Sequence, residues 1–467
     1  MIDTRLVQIE DLLRRQGPLT AAALGSALEV SQPTVSRLLA SAGERIVRIG
    51  RARASRYVLG REIARAGRHW PLYRIDPAGR SHLLGELGAL HGGGFHFSPA
   101  RPLPTFVHGE FTDGLFPGVP WFLDDQRPQG FVGRSFVRRV AANIGAPDDL
   151  AGWQADDIVL ALLRHGDDEP GDLVLGEDSL QRALQSMLVP EAMAASARVE
   201  QYPALADAAL AGEDVGSSAG GEQPKFTVLL REDEHDIEQD NDGYRSVIVK
   251  FSERTTTLAG QRWADLLRCE WTANDVLIAN GVASAQSELL EADGRVFLQS
   301  TRFDRTAMLG RCGLVSLAAL DAAYYGHGRI EWWTFARQLH ADGWICAEDA
   351  RDLAIRGWFG ALIGNTDMHL GNVSLVLGDT PPLALAPNYD MLPMALRPAS
   401  SGEVVARDVK IPAPLPDQLD HWQTAAAMAQ GFWQRVINNQ AISAGFRDIA
   451  IEQIRKLAVA RARFDSR

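Results

Sequence analysis

The chain has 467 residues, of which 46% are hydrophobic and 23% charged, the composition of a folded globular protein and a length sufficient for two to four compact domains. A net charge of -12 argues against a protein coated in nucleic acid along its whole length. The first residues lack a signal-peptide pattern and no apolar run reaches membrane-spanning length, so a cytoplasmic protein without membrane contact is predicted.

The first 60 residues are predicted to form three helices and a β-hairpin. Apolar residues recur at helical spacing in three segments, which are separated by Gly17-Pro18 and by the turn before Ser31. Two alternating runs, 47–49 and 56–59, then predict a hairpin with an arginine-rich turn. This order of elements resembles the winged helix-turn-helix of bacterial regulators.

The charge of this segment favours DNA binding. Residues 1–60 carry nine arginines and five acids, a local net charge of +4 that leaves -16 on the remainder of the chain. In winged helices the third helix meets base edges while other groups contact phosphates. The candidate DNA-binding residues are Gln32, Thr34, Ser36 and Arg37 on the third helix and Arg48, Arg51 and Arg53 in the wing. A three-helix unit used for dimerisation, or for contacting the rest of the chain, is the alternative.

No chemistry is assigned to the following region. Residues 61–70, with three arginines, are predicted to be a basic helical linker. From Trp70 to Trp153 the glycine, proline and aromatic residues predict short strands and loops, followed by a helix at 156–163 and a strand at 173–175.

The three cysteines, Cys269, Cys312 and Cys346, are far apart and lack metal-ligand spacing, so neither disulfides nor a zinc site are predicted.

A candidate phosphate-binding loop spans Ser217 to Lys225, immediately before the apolar strand 226–230. Gly220 and Gly221 allow backbone N–H groups to approach anionic oxygens, and the Lys225 ammonium adds positive charge. The segment is not a Walker A sequence, so taken alone it is better explained as a Gly-Gly turn.

Lysine is rare in this chain, because only four of its 47 basic residues are lysines. A compact ammonium suits a narrow pocket for one phosphate oxygen better than a guanidinium does. Lys250 ends the buried-looking strand 246–251, where a kinase lysine grips the ATP phosphates and pairs with a glutamate on the next helix. Glu270 is the nearest candidate for that glutamate. A lysine that reaches solvent from a strand end is the alternative for Lys250.

A second cluster follows an apolar helix that ends near Ile363. Asp367 and Asn372 are separated by four residues, the spacing at which a kinase catalytic loop places a carboxylate for the substrate hydroxyl and an amide for magnesium. Asp390, after the predicted strand 373–377, supplies a carboxylate for the metal that bridges the ATP phosphates. Each acid alone is more often a turn residue or a cap, but all these features occur in kinase order, which favours a phosphoryl-transfer site.

Between about residues 70 and 450 the chain resembles the HipA family, toxins of bacterial toxin-antitoxin systems with a protein-kinase-like fold. Four motifs carry the resemblance: Ser218-x-x-Gly221-x-Gln223-x-Lys225, Lys250 on its strand, Arg302-Phe303-Asp304-Arg305, and Asn365-Thr366-Asp367 through Asn372 with Tyr389-Asp390. It implies an α+β protein with a two-lobed protein-kinase-like fold behind a small winged helix-turn-helix domain. The expected units are 1–60, the winged helix; 61–70, a linker; 71–215, a HipA-like N-terminal subdomain; 216–302, the ATP-binding N-lobe; and 303–467, the helical catalytic C-lobe.

The resemblance also implies a role for each matching residue. Asp367 is the expected catalytic base, and Asn372 and Asp390 complete the catalytic set as magnesium ligands. The expected ATP contacts are Ser218, Gly220, Gly221, Gln223, Lys225, Lys250, Thr301, Phe303, His369 and Tyr389, with Thr301 and Phe303 in the hinge that faces adenine. Thr301 departs from the family pattern, which usually has an acidic residue at that position.

The expected function is that of an ATP- and Mg²⁺-dependent serine/threonine protein kinase acting as a toxin or growth regulator. Autophosphorylation of Ser218, or of the adjacent Ser217, is expected to expel the phosphate loop and silence the enzyme. By resemblance, the substrate is an aminoacyl-tRNA synthetase or another translation component, and a homodimer is one expected assembly. The DNA reader is fused here, whereas the familiar toxin obtains DNA binding from a separate antitoxin. The alternative is a transcriptional regulator whose kinase-like domain only senses a nucleotide or a partner.

Overall fold

The computed structural model describes residues 4–50, 55–101, 114–212, 223–232 and 243–464. Helices and strands are both abundant in this part of the chain, as expected of an α+β protein. Among these residues, every helix is too short or too polar to span a bilayer.

The N-terminal unit packs three helices on a small antiparallel sheet in which β3 lies between β1 and β2. Its elements are α1 (Thr4–Gln16), β1 (Leu19–Thr20), α2 (Ala21–Leu28), α3 (Gln32–Ala42), β2 (Ile46–Ile49) and β3 (Arg56–Leu59). Thr20 caps α2, because its hydroxyl accepts a hydrogen bond of 3.1 Å from the Ala23 N–H. Ser31 stands at the N-cap position of α3, but its hydroxyl bonds to Thr34 Oγ1 instead of a backbone N–H. The helices and the hairpin follow the order expected from the sequence.

The helix predicted at 61–70 is wrong. Residues 61–68 are irregular, and the next strand already begins at His69. Positive φ angles at Ala64 (46°) and Gly67 (94°) are incompatible with a helix. Arg61 Nε donates to Leu90 O at 2.9 Å, and the Arg61 guanidinium also pairs with Asp156. The segment is therefore fixed against the unit that follows it.

The middle unit is an antiparallel sheet with the strand order β7-β6-β5-β4-β8, accompanied by three helices. Its elements are β4 (His69–Ile75), β5 (Ser81–Ala89), β6 (Phe95–Pro99), β7 (Leu115–Phe116), α4 (Gly130–Ile144), α5 (Ala155–His165), β8 (Leu173–Leu175) and α6 (Glu177–Leu188). The short strands agree with the sequence prediction, but α4 lies where only strands and loops were expected. Its buried residues Val132, Phe136, Val140 and Ile144 recur every four positions, so a helical signal was present in a glycine-rich context.

The N-lobe is a five-stranded sheet with the order β12-β13-β11-β10-β9. Its elements are β9 (Met193–Ala194), α7 (Arg198–Ala211), β10 (Lys225–Arg231), β11 (Tyr244–Phe251), α8 (Leu258–Ala279), β12 (Ser287–Ala292) and β13 (Arg295–Thr301). Tyr202 of α7 packs its ring against Phe226 and donates from its hydroxyl to Gln299 Oε1 at 2.6 Å. Because β9 and α7 belong to this sheet and its core, the structural N-lobe begins before residue 216.

The C-lobe is mainly helical. Its elements are β14 (Leu314–Ser316), α9 (Leu317–Tyr324), α10 (Trp332–Ala341), α11 (Ala347–Ile363), β15 (Ser374–Val376), α12 (Leu419–Asn438) and α13 (Ala444–Ala462). The centre of the lobe is α11, whose Trp358 is buried and stacks on Trp333 with ring centroids 3.9 Å apart. Gly364, with φ 82°, ends α11 and turns the chain into the predicted catalytic loop.

The Arg302-Phe303-Asp304-Arg305 motif joins the lobes to the middle unit. Asp168, from the loop between α5 and β8, accepts hydrogen bonds from Arg302 Nη1 at 3.1 Å and from Arg305 Nη2 at 2.8 Å. Burial opposes ionisation of Asp304, but the guanidinium groups of Arg302 and Arg305 outweigh burial and lower the pKa of Asp304. The motif is therefore an anchor between two units as well as the continuation of β13.

Candidate active site

A cavity of about 390 Å³ lies where the N-lobe, the C-lobe and the middle unit meet. A cavity of this size is within the usual range for a small-molecule site. Its lining includes Lys225, Ile248, Lys250, Glu270, Thr301 and Phe303 from the N-lobe and hinge, His369, Gly371, Asn372, Tyr389 and Asp390 from the C-lobe, and Asp124, Asp125, Arg127 and Gln129 from the middle unit.

Two lysines reach the cavity from neighbouring strands. Lys225 lies directly opposite Lys250 in the antiparallel pair of β10 and β11, so both side chains extend to the same face of the sheet. Lys250 Nζ lies 2.5 Å from Glu270 Oε1 on α8 and also contacts Asp390 Oδ1. The pairing with Glu270 is the one that the sequence suggested, whereas the direct contact with Asp390 was not foreseen.

Burial and charge act in opposite directions on this cluster. Burial raises the pKa of Glu270 above its ordinary value, although the Lys250 ammonium opposes the shift. Burial acts in the same sense on Asp390, but the charges of Lys250 and Lys225 outweigh it and lower the pKa of Asp390. Burial disfavours the Lys250 ammonium, yet Asp390 and Glu270 together raise the pKa of Lys250. At neutral pH the cavity therefore holds an ionised Asp390 beside a charged Lys250.

The catalytic loop is held through backbone atoms of Asp367. The Asp367 N–H donates to Asn365 Oδ1 at 3.0 Å, and Asn372 Nδ2 donates to Asp367 O at 2.8 Å. Neither of these bonds, which hold the loop, uses the Asp367 carboxylate. Asn372 is buried and lines the cavity, whereas the half-buried Asp367 is not among the lining residues.

Asp390 is held in a left-handed backbone conformation, with φ 55°. Such angles are uncommon outside glycine, and they persist where the surroundings fix the backbone. Asn365 Nδ2 donates to Asp390 O at 3.2 Å and so ties this residue to the catalytic loop. One asparagine thereby positions both Asp367 and Asp390.

Aromatic and hydroxyl groups line the hinge side of the cavity. The Phe303 and Tyr389 rings lie 5.7 Å apart at 34°, and the Thr301 N–H donates to Gln286 O at 2.9 Å. The Tyr389 hydroxyl donates to Gly371 O at 3.0 Å and lies 2.8 Å from Ser374 Oγ. His369 is an exposed lining residue whose Nδ1 accepts from the Gly371 N–H at 3.1 Å.

Several sequence candidates lie elsewhere. Ser217, Ser218, Gly220, Gly221, Arg51 and Arg53 lie outside the described residues. Gln223 is described and half-buried but is not a lining residue. On α3, Gln32, Ser36 and Arg37 are exposed and Thr34 is half-buried, while the exposed Arg48 donates to Ser55 Oγ at 2.8 Å.

The chemistry of the cavity suits magnesium with a phosphate ligand. Within the described residues, no group of three or more His, Cys, Asp or Glu side chains is arranged to hold a metal ion. Mg²⁺ is commonly held by one or two protein oxygens together with substrate phosphates and water, so a larger protein cage is not needed. Asn372 Nδ2 donates to Asp367 O, so the amide oxygen is the atom of this side chain that would bind a cation. The oxygens of Asn372 and Asp390 therefore fit the ion.

Sequence reasoning missed the contribution of the middle unit. Asp124, Asp125 and Arg127 line the cavity from a short 3-10 helix, Trp121–Gln126, and the segment after it. Two adjacent acids in a region of loops carry no motif, so no local signal could have assigned them to the cavity.

Two family models match the chain. Residues 66–184 match the middle domain of YjjJ-like toxins, and residues 217–457 match the HipA-like C-terminal domain. Toxin YjjJ of Escherichia coli (strain K12) is 37% identical over 451 residues, which cover 96% of this chain and 97% of that protein.

Two solved structures are similar at low identity. HipA of Shewanella oneidensis MR-1, from a complex of HipA, HipB and operator DNA, is 14% identical, with a TM-score of 0.47 over 84% of this chain and 97% of that one. The Helicobacter pylori proinflammatory kinase CtkA is 13% identical, with a TM-score of 0.35 over 52% of this chain and 92% of that one. The C-terminal family model and the Escherichia coli toxin each match more than half of the chain. The chain belongs to the HipA-like toxin kinase family.

Proposed function

We propose that this chain is an ATP- and magnesium-dependent serine/threonine protein kinase. The observation that carries the proposal is the charged cluster that Lys250 forms with Glu270 and Asp390 at the cavity. In kinases a strand lysine, fixed by a helix glutamate, holds the α- and β-phosphates, and a nearby aspartate holds the metal. The three groups come from β11, α8 and the segment after β15, so they meet only in the assembled lobes.

Each side chain then has a definable task. Lys250 and Lys225 present ammonium groups to phosphate oxygens, and Asn372 and Asp390 hold Mg²⁺, whose charge offsets that of the phosphates. Asp367 accepts the proton of a serine or threonine hydroxyl as general base. Its half-buried position outside the cavity lining suits an acceptor that approaches from solvent.

The remaining ATP contacts belong to the hinge and the phosphate loop. Thr301 and Phe303 face adenine, while His369 and Tyr389 line the nucleotide. The loop Ser218 to Lys225, with Gly220, Gly221 and Gln223, cradles the phosphates. Phosphorylation of Ser218, or of Ser217, adds negative charge where the ATP phosphates bind, and like-charge repulsion then silences the enzyme.

Incubation of the protein with labelled ATP tests this function. With Mg²⁺ present, we expect label on Ser218 or Ser217, located by mass spectrometry, and its loss in Asp390→Ala and after chelation by EDTA, because the phosphates then lack their cation. Unchanged labelling of Asp390→Ala would contradict the assignment. A regulator that only senses nucleotide would bind ATP without any transfer of label.

We also propose that the N-terminal unit binds DNA. Exposed Gln32, Ser36 and Arg37 lie on one helix, α3, at the spacing of a recognition helix. Arg48 stands on β2 beside the arginine-rich turn, where contacts to phosphates would fix the position of α3.

A gel-shift titration with the DNA upstream of the coding region tests this part. Arg37→Ala is expected to weaken binding about tenfold, the typical effect of losing one arginine contact to a base edge. Arg455→Ala, the same change at an exposed site on α13, serves as the control. Binding that is absent, or insensitive to salt, would favour an intramolecular docking role for residues 1–60.

The protein substrate belongs to the same proposal. As a member of a toxin family, the kinase is proposed to arrest growth by modifying an aminoacyl-tRNA synthetase or another translation component. An antitoxin is the partner that such a toxin requires, and a homodimer is the proposed assembly.

A further inference from the structure

The middle unit forms one wall of the cavity, although the proposed mechanism gives it no task. The short helix Trp121–Gln126 presents Asp124 and Asp125 to the cavity, and Arg127 and Gln129 extend the same wall. Its polar groups share the cavity lining with the hinge residues and Tyr389, which belong to the two lobes.

This wall is fixed to two different units. Gln126 Nε2 donates to Leu173 O at 2.8 Å, which holds the short helix to β8 of the middle unit. Trp121 packs edge-on against Tyr324 of α9, with ring centroids 5.5 Å apart, which holds it to the C-lobe.

Asp125 makes the polar connection between the wall and the C-lobe. One carboxylate oxygen accepts from the Ser316 N–H and the other from Ser316 Oγ, both at 2.6 Å. Ser316 is the N-cap of α9, since its hydroxyl accepts from the Ala319 N–H at 3.1 Å. A carboxylate at this helix end is favoured by the helix dipole as well as by the two short hydrogen bonds.

Ser316 continues the connection to the catalytic residues. It lies directly opposite Ser374 in the antiparallel pair of β14 and β15. The Ser374 hydroxyl lies 2.8 Å from the Tyr389 hydroxyl, which donates to Gly371 O in the catalytic loop. Tyr389 immediately precedes Asp390. The connection from the middle unit to the proposed metal ligand thus runs through side-chain hydrogen bonds at both ends and through the backbone pairing of Ser316 with Ser374 between them.

We infer that the middle unit completes the nucleotide site. Asp125 is a positioning residue that holds Ser316 in place. Through the pairing of Ser316 with Ser374, it also holds Tyr389 in the geometry that binds ATP. This inference rests on the proposed kinase function. Asp125 is expected to affect nucleotide affinity, because it positions residues that line the cavity and does not contact the hydroxyl of the protein substrate. The middle unit of these toxins is then part of the active site and not an appended module.

The protonation of Asp125 provides an independent readout. Burial raises the pKa of Asp125 to about 6, and the charge of Asp124 acts in the same direction, while the hydrogen bonds from Ser316 oppose the shift. Two further titratable groups of the described cavity lining are Arg127, which pairs with Asp124, and Tyr389, whose pKa the charge of Asp125 raises. Because a protonated carboxyl loses acceptor capacity toward Ser316, nucleotide affinity is expected to fall as pH drops below that value.

The test measures binding of the fluorescent analogue mant-ATP, with Mg²⁺, to the full chain. Asp125→Asn is expected to weaken binding about tenfold, because a carboxylate that accepts two charge-assisted bonds from Ser316 becomes a neutral amide with one acceptor oxygen, whose NH2 group then faces the Ser316 hydroxyl. In steady-state assays the KM for ATP rises while kcat changes little. Between pH 7 and pH 5.5 the affinity of the wild type falls toward that of Asp125→Asn. Asp156→Asn, a middle-unit carboxylate paired with Arg61 away from the cavity, keeps wild-type affinity.

Ser316→Ala provides a second arm if Asp125→Asn fails to fold. It is expected to weaken binding as well, and the double variant to bind no worse than Asp125→Asn alone, because both changes break one path. Wild-type affinity in Asp125→Asn or Ser316→Ala, or additive losses in the double variant, would overturn the inference while leaving the kinase function standing. Absence of mant-ATP binding by the wild type and by Asp156→Asn would refute both.

Discussion

Replacing Asp367 by asparagine is expected to slow phosphoryl transfer about 10²- to 10⁴-fold, the usual contribution of a positioned general base, while ATP affinity stays at the wild-type level. The loop is held by the Asp367 N–H and carbonyl, which bond to the side chains of Asn365 and Asn372. Asparagine retains both of these backbone groups. The carboxylate also lies outside the cavity lining, so its loss removes a proton acceptor and not a nucleotide contact.

Single-turnover rates and mant-ATP affinities, measured on the same preparations, check this result. Asp448→Asn makes the same chemical change at an exposed position on α13 and is expected to leave both quantities unchanged. If the rate and the affinity of Asp367→Asn fall together, Asp367 holds the nucleotide. If neither changes, another group is the base.

Replacing Lys250 by methionine is expected to abolish phosphoryl transfer and to lower the free energy of unfolding by about 3–5 kcal/mol, because removing one partner of a buried ion cluster leaves its counterions uncompensated. Glu270 is 2% exposed and Asp390 bonds to the same ammonium, so both carboxylates would lose this cation, while the charge of Lys225 still acts on them. Urea denaturation at pH 7 measures the loss of stability.

The pH dependence separates this electrostatic effect from lost packing. With Lys250 present, the pKa of Asp390 is lowered, so ionised Asp390 stabilises the fold at every pH above the ordinary pKa of a carboxyl group. This stabilisation is lost as the pH falls through the lowered pKa. Without Lys250, both carboxylates are expected to take up protons more readily. The difference between the variant and the wild type is therefore largest near neutrality and shrinks toward acid pH.

Two further variants complete the test. Adding Glu270→Gln to Lys250→Met is expected to restore part of the stability but none of the activity, because one buried charge is removed while the phosphate ligand stays absent. Lys410→Met, at an exposed lysine, controls for the change of side chain. An equal loss of stability at pH 5 and pH 7 would assign the effect to packing.

Local patterns in the sequence predicted most of the elements that carry the site. The strands that hold Lys225 and Lys250, the helix before Asp367 and the four-residue separation of Asp367 and Asn372 are all short-range features. Failures occurred where local signals conflict. Residues 61–70 have helical composition, but Ala64 and Gly67 have positive φ angles, and the Arg61 N–H bonds to Ala89 O of the middle sheet instead of to a helical partner. For α4, the glycines in the region led to a prediction of strands and loops, although apolar side chains recur every four residues as in a helix.

By itself, the sequence determined the order of the kinase motifs, the retention of lysine at two of them and the family. Alternation, spacing and residue type are properties of neighbouring residues, and they can be read along the chain. Only the tertiary structure decided that Lys250 contacts Asp390, 140 positions away, and that Asp125 of the middle unit borders the same cavity. Contacts between distant segments depend on how buried surfaces pack, and no local pattern encodes that packing.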